Sequence, residues 1–167
     1  MKKRAYVILG PESSGTRLLT KIMIAGGCHG DASHFQPFDK CSFGNLSPIV
    51  WRRSVPHSGK DINLQSMLDR LHDYEVMVVV IVRDWTVTEK SQVKNKHASS
   101  IEVANAKVKS ALKSIFSQLI LTNSDFVLVT YESLVLNPVK IQQSLFNRLG
   151  LKILSTIRIT NENVKWL

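Results

Sequence analysis

A short polar loop rich in glycine and hydroxyl residues follows the first apolar run of the chain. It extends from Gly10 to Arg17 and reads Gly-Pro-Glu-Ser-Ser-Gly-Thr-Arg. Where a buried strand enters such a turn and a helix follows, unpaired backbone N–H groups and the helix dipole can hold an anion. Serine and threonine hydroxyls add donors, and arginine adds a fixed positive charge. The residues predicted to bind an anion here are Ser13, Ser14, Gly15, Thr16 and Arg17.

The loop matches only part of a known nucleotide-binding motif. Gly10 and Gly15 have the spacing of a Walker A loop, but Thr16 and Arg17 stand where that motif has Lys followed by Ser or Thr. A P-loop nucleotide kinase would therefore lack its lysine on the terminal phosphates. It would also need a carboxylate such as Asp84 to hold Mg²⁺. This class of enzyme remains an alternative interpretation.

A second candidate anion contact follows the most apolar segment of the chain. Residues 76–82 form a continuous, largely β-branched run that predicts a central parallel strand buried on both faces. Arg83 comes directly after it, and Ser91 follows eight residues later. Since ligands bind at the carboxyl ends of strands in open α/β sheets, we expect Arg83 and the Gly10–Arg17 loop to lie on the same edge.

The elements that must position these residues alternate along the chain. Strands are predicted at 5–9, 76–82 and 126–130, and helices at 15–25, 63–73, 86–96, 101–121 and 138–149. Alternating strands and helices predict one α/β domain over residues 1–167, with a parallel sheet in a three-layer α/β/α arrangement. The stretch 26–60 is predicted to be loop-rich, and a loop of that length is usually functional or disordered.

Three segments, in this order, carry a resemblance to a known family. They are Gly10-Pro-Glu-Ser-Ser-Gly-Thr-Arg17, Val82-Arg83-Asp84 with Ser91, and Val129-Thr-Tyr131-Glu132-Ser-Leu134 followed by Leu149-Gly150-Leu151. They resemble the 5′-phosphosulfate loop, the 3′-phosphate-binding element and the Tyr-Glu-Asp-Leu junction of the sulfotransferases that use 3′-phosphoadenosine 5′-phosphosulfate (PAPS). The resemblance implies a P-loop NTPase-like fold with sulfotransferase topology.

The resemblance also implies an activity, which is transfer of a sulfuryl group from PAPS to a hydroxyl or amine acceptor. The loop would bind the 5′-phosphosulfate, while Arg83 and Ser91 would bind the 3′-phosphate. No metal is expected, because sulfuryl transfer needs none. The acceptor, whether a sugar, a peptide, a lipid or a small molecule, would bind in the loop-rich region 26–60.

One departure from the family pattern concerns catalysis. The family usually has a basic residue just before the Ser-Gly-Thr step, where this chain has Ser13 preceded by Glu12. During transfer, some oxygens of the phosphosulfate gain negative charge, and a positively charged residue stabilises them. In this chain that residue would have to come from another position. The candidates are Arg17, Lys21 and Lys60. A catalytically silent nucleotide-binding module is therefore a further alternative.

The acceptor must also lose a proton, and the loop-rich region offers several general bases. His57 is the first candidate because Arg52, Arg53 and Lys60 surround it with positive charge. The others are His34 and Asp31. His29, Asp31 and His34 also admit interpretation as metal ligands, but no helix or hairpin pattern supports such a site.

Composition limits the remaining classes. The 167 residues carry a formal net charge of +9, which fits an anionic cosubstrate. Basic residues are scattered and do not alternate with aromatic ones, so the sequence argues against nucleic-acid binding. Only two cysteines are present, Cys28 and Cys41, and free thiols in a reducing compartment are expected. We expect a cytoplasmic protein without a membrane span, since no apolar run is long enough.

Overall fold

The structure is a computed structural model that describes residues 2–33, 38, 41, 43–56, 61–152 and 154–166. Four parallel strands form one sheet in the order β2-β1-β3-β4. They are β1 (Lys3–Pro11), β2 (Ile49–Val55), β3 (Tyr74–Val82) and β4 (Phe126–Thr130). The helices are α1 (Thr16–Ala25), α2 (Leu64–Arg70), α3 (Trp85–Lys94), α4 (Ile101–Leu121), α5 (Tyr131–Leu136) and α6 (Pro138–Leu149), followed by a 3₁₀ turn at Val164–Trp166.

The sheet is covered by helices on both faces, which confirms the predicted three-layer α/β fold. Side chains of α1, α5 and α6, including Leu19 and Phe146, pack with Ile8 and Ile81 on one face. On the other face, side chains of α2 and α4 pack with alternate residues of the same strands. The central strands β1 and β3 are buried on both faces, which is why their sequences are continuously apolar.

Strand β2 corrects the prediction that residues 26–60 are loop-rich throughout. It pairs along β1 from the Ala5–Ile49 partners to the Pro11–Val55 partners. Arg52, Arg53 and Ser54 interrupt its apolar pattern, so the segment does not have the continuous hydrophobic run of the central strands. β2 is the outermost strand of the sheet in the described structure.

Local signals fix where the helices begin. Asp84 accepts a hydrogen bond from Val87 N at 2.9 Å and so caps α3. Ser100 and Thr130 cap α4 and α5 in the same way. Helix α1 differs, because its N-cap is Gly15, whose φ is 104°, and no side chain caps it. Among the described residues, no helix combines the length and apolar character needed to cross a bilayer.

Candidate functional site

A cleft with a volume of about 830 Å³ lies at the carboxyl edge of the sheet. The β1–α1 loop, the end of β2, Arg83, helix α3, Tyr131 and the C-terminal segment line it. Its described lining includes seven basic side chains, Arg17, Lys21, Arg52, Arg83, Lys94, Arg158 and Lys165, and one carboxylate, Glu162. Such a lining attracts an anion with several charges.

The β1–α1 loop has the backbone conformation of an anion cradle. Ser13 and Gly15 both have positive φ, 68° and 104°. The N–H groups of Thr16 and Arg17 have no hydrogen-bond acceptor in the described part of the chain. These N–H groups open the first turn of α1, where the helix dipole is positive. The loop can therefore donate to a phosphate or sulfate without breaking an existing bond.

Two close approaches explain the glycines of this loop. A Cβ atom on Gly10 would come within 2.5 Å of the Ile81 carbonyl oxygen. A Cβ on Gly15 would lie 2.9 Å from Cδ2 of Tyr131, in addition to the strain of its positive φ. Gly10 and Gly15 thus allow the loop to pack against β3 and α5.

Ser14 lies differently from the other loop residues. Its side chain is 1% exposed, and its backbone N–H donates to the Pro11 carbonyl at 3.1 Å. Its Oγ is buried beside Gly10 and has no hydrogen-bond partner among the described residues. Ser14 is therefore not part of the described cleft lining, whereas Ser13, Gly15, Thr16 and Arg17 are.

Arg83 is held in place from three sides. Its Nε donates to Asn163 Oδ1 at 2.8 Å, its Nη1 donates to the Ser13 carbonyl at 3.2 Å, and its guanidinium lies 4.3 Å from the centre of the Tyr131 ring. Its Nη2 is left without a partner in the described structure. Burial lowers the pKa of Arg83, and the carboxylate of Glu132 is among the groups that oppose this shift. This nitrogen therefore keeps donors that the described protein groups do not use.

Ser91 joins the same cleft from helix α3. Its side chain is buried, and its Oγ accepts a hydrogen bond from Asn95 Nδ2 at 3.2 Å. The hydroxyl hydrogen of Ser91 can then be donated to an anion. The fold thus brings Arg83, Ser91 and the β1–α1 loop to one cleft, as their spacing in the sequence led us to expect.

The C-terminal segment closes one side of the cleft. Gln142, which is 0% exposed, exchanges two hydrogen bonds with the backbone of Ile157, at 2.9 and 3.0 Å. Farther along, Asn163 is 8% exposed and links Arg83 to Glu132 through its side-chain amide. Sequence reasoning missed Gln142 and Asn163, because amide residues in a helix and in a tail carry no periodic signal. Their structural roles follow only from these hydrogen bonds to residues distant in the sequence.

Trp166 lies against helix α3. Its carbonyl oxygen accepts a hydrogen bond from Lys90 Nζ at 2.7 Å, and Lys94 Nζ lies 5.1 Å from its ring. Lys165 binds Glu162 and also lies near the indole. The end of the chain therefore places aromatic and basic groups on the rim of the cleft.

Several predicted residues are absent from the described lining of this cleft. His57, Lys60 and His34 lie outside the described residues, so their assignment as catalytic groups remains a prediction. Asp31 is described, and its Oδ1 accepts a hydrogen bond from Ser33 N at 2.6 Å. Asp84, the carboxylate that a kinase would need, caps α3 and is not part of the described cleft lining. Among the described residues, no group of three or more His, Cys, Asp or Glu side chains is arranged to hold a metal ion.

Comparison with known proteins identifies the fold. No protein-family model matches the chain, and no curated protein matches it. Among solved structures, the sulfotransferase domain of the olefin synthase from Synechococcus PCC 7002 is similar, with a TM-score of 0.61 and 15% sequence identity. The match covers 100% of this chain and 84% of that domain. The chain has a sulfotransferase-like fold.

In a sulfotransferase-like fold the position of the cleft agrees with the general rule for open α/β sheets. The β1–α1 loop and Arg83 both follow the carboxyl ends of adjacent central strands. A 15% identity shows the fold alone, so the activity has to be argued from the residues of the cleft.

Proposed function

We propose that the chain is a PAPS-dependent sulfotransferase. The observation that carries this proposal is the convergence of the β1–α1 loop, Arg83 and Ser91 in one strongly cationic cleft. PAPS bears charge at its 3′-phosphate and at its 5′-phosphosulfate, so it needs two separate anion sites. In this proposal Arg83 and Ser91 contribute to one site and the first turn of α1 to the other, and all of them line the cleft.

In the proposed reaction, an acceptor hydroxyl or amine attacks sulfur in line with the bond to the 5′-phosphate. As the new bond to sulfur forms, the old S–O bond breaks and its electron pair goes to the phosphate oxygen. 3′-Phosphoadenosine 5′-phosphate (PAP) leaves, and the acceptor proton passes to a base. The N–H groups of Thr16 and Arg17 would stabilise charge on the 5′-phosphate.

A neighbouring cavity of about 250 Å³ is the proposed acceptor site. Its described lining combines the polar residues His29 and Asp31 with the apolar residues Phe43 and Trp51. It shares Arg52 with the larger cleft, so a molecule bound there would lie next to the phosphosulfate site. Both cavities are lined in part by the 26–60 region that we predicted to hold the acceptor.

A second candidate is a nucleotide-binding module that performs no transfer. The observation favouring it is Ser13, which stands where related sulfotransferases usually have a basic residue. The P-loop kinase gains no such support, because Asp84 is used to cap α3 and the loop has no lysine.

The two candidates differ in turnover. Sulfur-labelled PAPS would be incubated with the protein, EDTA and a panel of sugar, peptide, lipid and phenol acceptors, and PAP release and labelled product would be followed. A sulfotransferase transfers label to at least one acceptor, and Arg83→Met slows that transfer while the exposed control Lys113→Met does not. Tight binding of PAP without any acceptor-dependent release would favour the silent module.

A further inference from the structure

Arg52 is a buried arginine in the lining of the cleft. The proposed binding of PAPS by the loop, Arg83 and Ser91 gives it no role. It lies on β2 opposite Ile8 of β1, and its side chain is 9% exposed. Its Nε is buried and has no hydrogen-bond partner within the described part of the chain. Buried charged groups are ordinarily paired, because an unpaired one loses its hydration without compensation. A bound anion would therefore satisfy a donor of Arg52 that the described residues leave unused.

The side chain of Arg52 lies on the face of the sheet that carries α1. Val50 and Ser54, two residues to either side along the strand, occupy that same face. Val50 packs with the α1 side chains, and Ser54 Oγ lies 3.2 Å from Thr16 Oγ1 in the first turn of α1. Arg52 therefore enters the cleft beside the N-terminus of α1, and Arg17 enters it from the helix itself.

The charges near Arg52 also indicate an anion site. Burial lowers the pKa of Arg52, and the positive charge of Arg17 lowers it further. Asp31 opposes this shift but does not cancel it. An anion between Arg17 and Arg52 would offset the repulsion between the two guanidinium groups and stabilise the charged form of Arg52.

Arg52 also stands between the two cavities of the proposed enzyme. It lines the larger cleft together with Thr16 and Ser54, and it lines the smaller cavity together with Asp31 and Trp51. A group passing from a donor in the cleft to an acceptor in the smaller cavity would pass this guanidinium.

We propose that Arg52 binds the sulfuryl group during transfer and supplies the positive charge that the loop lacks at Ser13. This inference rests on the proposed sulfotransferase function. Arg52 donates to the sulfuryl oxygens and to the oxygen that joins sulfur to the 5′-phosphate, where negative charge grows as the S–O bond breaks. The acceptor proton goes to a base or to solvent, so Arg52 keeps its own protons throughout. A strand residue here does the work that a loop residue does in related enzymes.

The test compares two ligands that differ only in the sulfuryl group. PAPS and PAP would be titrated calorimetrically, in EDTA and without acceptor, into the wild type, Arg52→Met and Arg52→Lys. Arg53→Met is the matched control, because Arg53 lies next to Arg52 on β2 but faces the other side of the sheet, where its Nη2 donates to the Asp61 carbonyl at 3.1 Å. Thermal unfolding of each variant identifies any that fails to fold, and Arg52→Lys then carries the test.

We expect Arg52→Met to lower PAPS affinity by about 10- to 100-fold, the range for losing a charge-assisted hydrogen bond, and to change PAP affinity by less than about threefold. Arg52→Lys should retain part of the preference for PAPS, and Arg53→Met should retain all of it. If Arg52→Met lowers the affinity for PAPS and for PAP equally, or lowers neither, the proposed role of Arg52 is wrong. If the wild type binds neither nucleotide, the proposed function itself fails, and this is seen before any variant is made.

Discussion

The guanidinium carbon of Arg83 lies 4.3 Å from the centre of the Tyr131 ring. Gly15 also packs against this ring, since an added Cβ would come within 2.9 Å of Tyr131 Cδ2. The arginine in turn donates from Nη1 to the Ser13 carbonyl at 3.2 Å. The loop, the arginine and the ring therefore pack together at the edge of the cleft.

The Tyr131 ring should contribute to nucleotide binding through Arg83. Tyr131→Leu removes the cation–π contact, and we expect PAP affinity to fall about tenfold, in line with a desolvated contact of this kind. Tyr131→Phe keeps the ring and loses only the hydroxyl that accepts from Glu162 N at 3.3 Å, so affinity should stay within about threefold. Calorimetric titration of PAP into both variants measures this. Equal affinities in the two variants would show that the ring does not position Arg83.

Gly15 should be far less tolerant of alanine than another glycine of positive φ. Gly44 has a φ of 53° but open space around its Cβ position, whereas Gly15 combines a φ of 104° with the Tyr131 contact. We expect Gly44→Ala to lower the free energy of unfolding by about 1 kcal/mol and Gly15→Ala by about 2 to 3 kcal/mol. Urea denaturation measures both values. The double variant Gly15→Ala/Tyr131→Leu should recover part of the loss, and simple additivity would show that the clash is unimportant.

Gln142 should anchor the C-terminal wall of the cleft. Gln142→Leu leaves the part-buried N–H and C=O of Ile157 without their side-chain partner, which should cost about 1 to 3 kcal/mol of unfolding free energy. Trypsin should then cleave after Arg158 faster than in the wild type, and PAP affinity should fall because Arg158 and its neighbours line the cleft. The exposed neighbour Gln143, changed to leucine, is the control. Unchanged cleavage in Gln142→Leu would mean that other contacts hold this segment.

The pH dependence of stability should carry a contribution from Cys28. Burial raises the pKa of this thiol from its ordinary value of 9.0 to about 12. The folded thiol therefore stays protonated above pH 9, while the unfolded thiol ionises. Stability is fully present below pH 9 and is lost as the pH rises, by about 1 kcal/mol between pH 9 and 10. Cys28→Ala should lack this decline and Cys41→Ala should keep it, as followed by urea denaturation at each pH. A wild-type curve that is flat over this interval would contradict the argument.

The two central strands could be predicted because sequence pattern and environment coincide there. β1 and β3 are buried on both faces, and their apolar runs mark them directly. β2 could not be predicted, since Arg52 and Ser54 face the cleft, and a polar site on a strand removes the very pattern that identifies a strand. The polar residues that line the cleft therefore explain why β2 was not predicted.

A similar limit applies to individual side chains. The spacing of Arg83 and Ser91 led us to expect both at one sheet edge, and both line the cleft. In contrast, Asn163 contacts Arg83 across 80 positions of the sequence, and no local pattern records that contact. Ser14 lies within the loop motif, yet its hydroxyl is buried beside Gly10, a position that no local sequence pattern records.

The most direct test of the proposed cosubstrate is a calorimetric titration of PAP in EDTA against ATP with Mg²⁺. The wild type, Arg83→Met and Lys113→Met would be compared, since Lys113 is exposed on α4 and outside the described cleft lining. We expect preference for PAP without metal, a loss of about 10- to 100-fold in Arg83→Met, and no change in Lys113→Met. Equal or tighter binding of ATP with Mg²⁺ by the wild type would contradict the sulfotransferase proposal. The P-loop nucleotide kinase would then be the better interpretation.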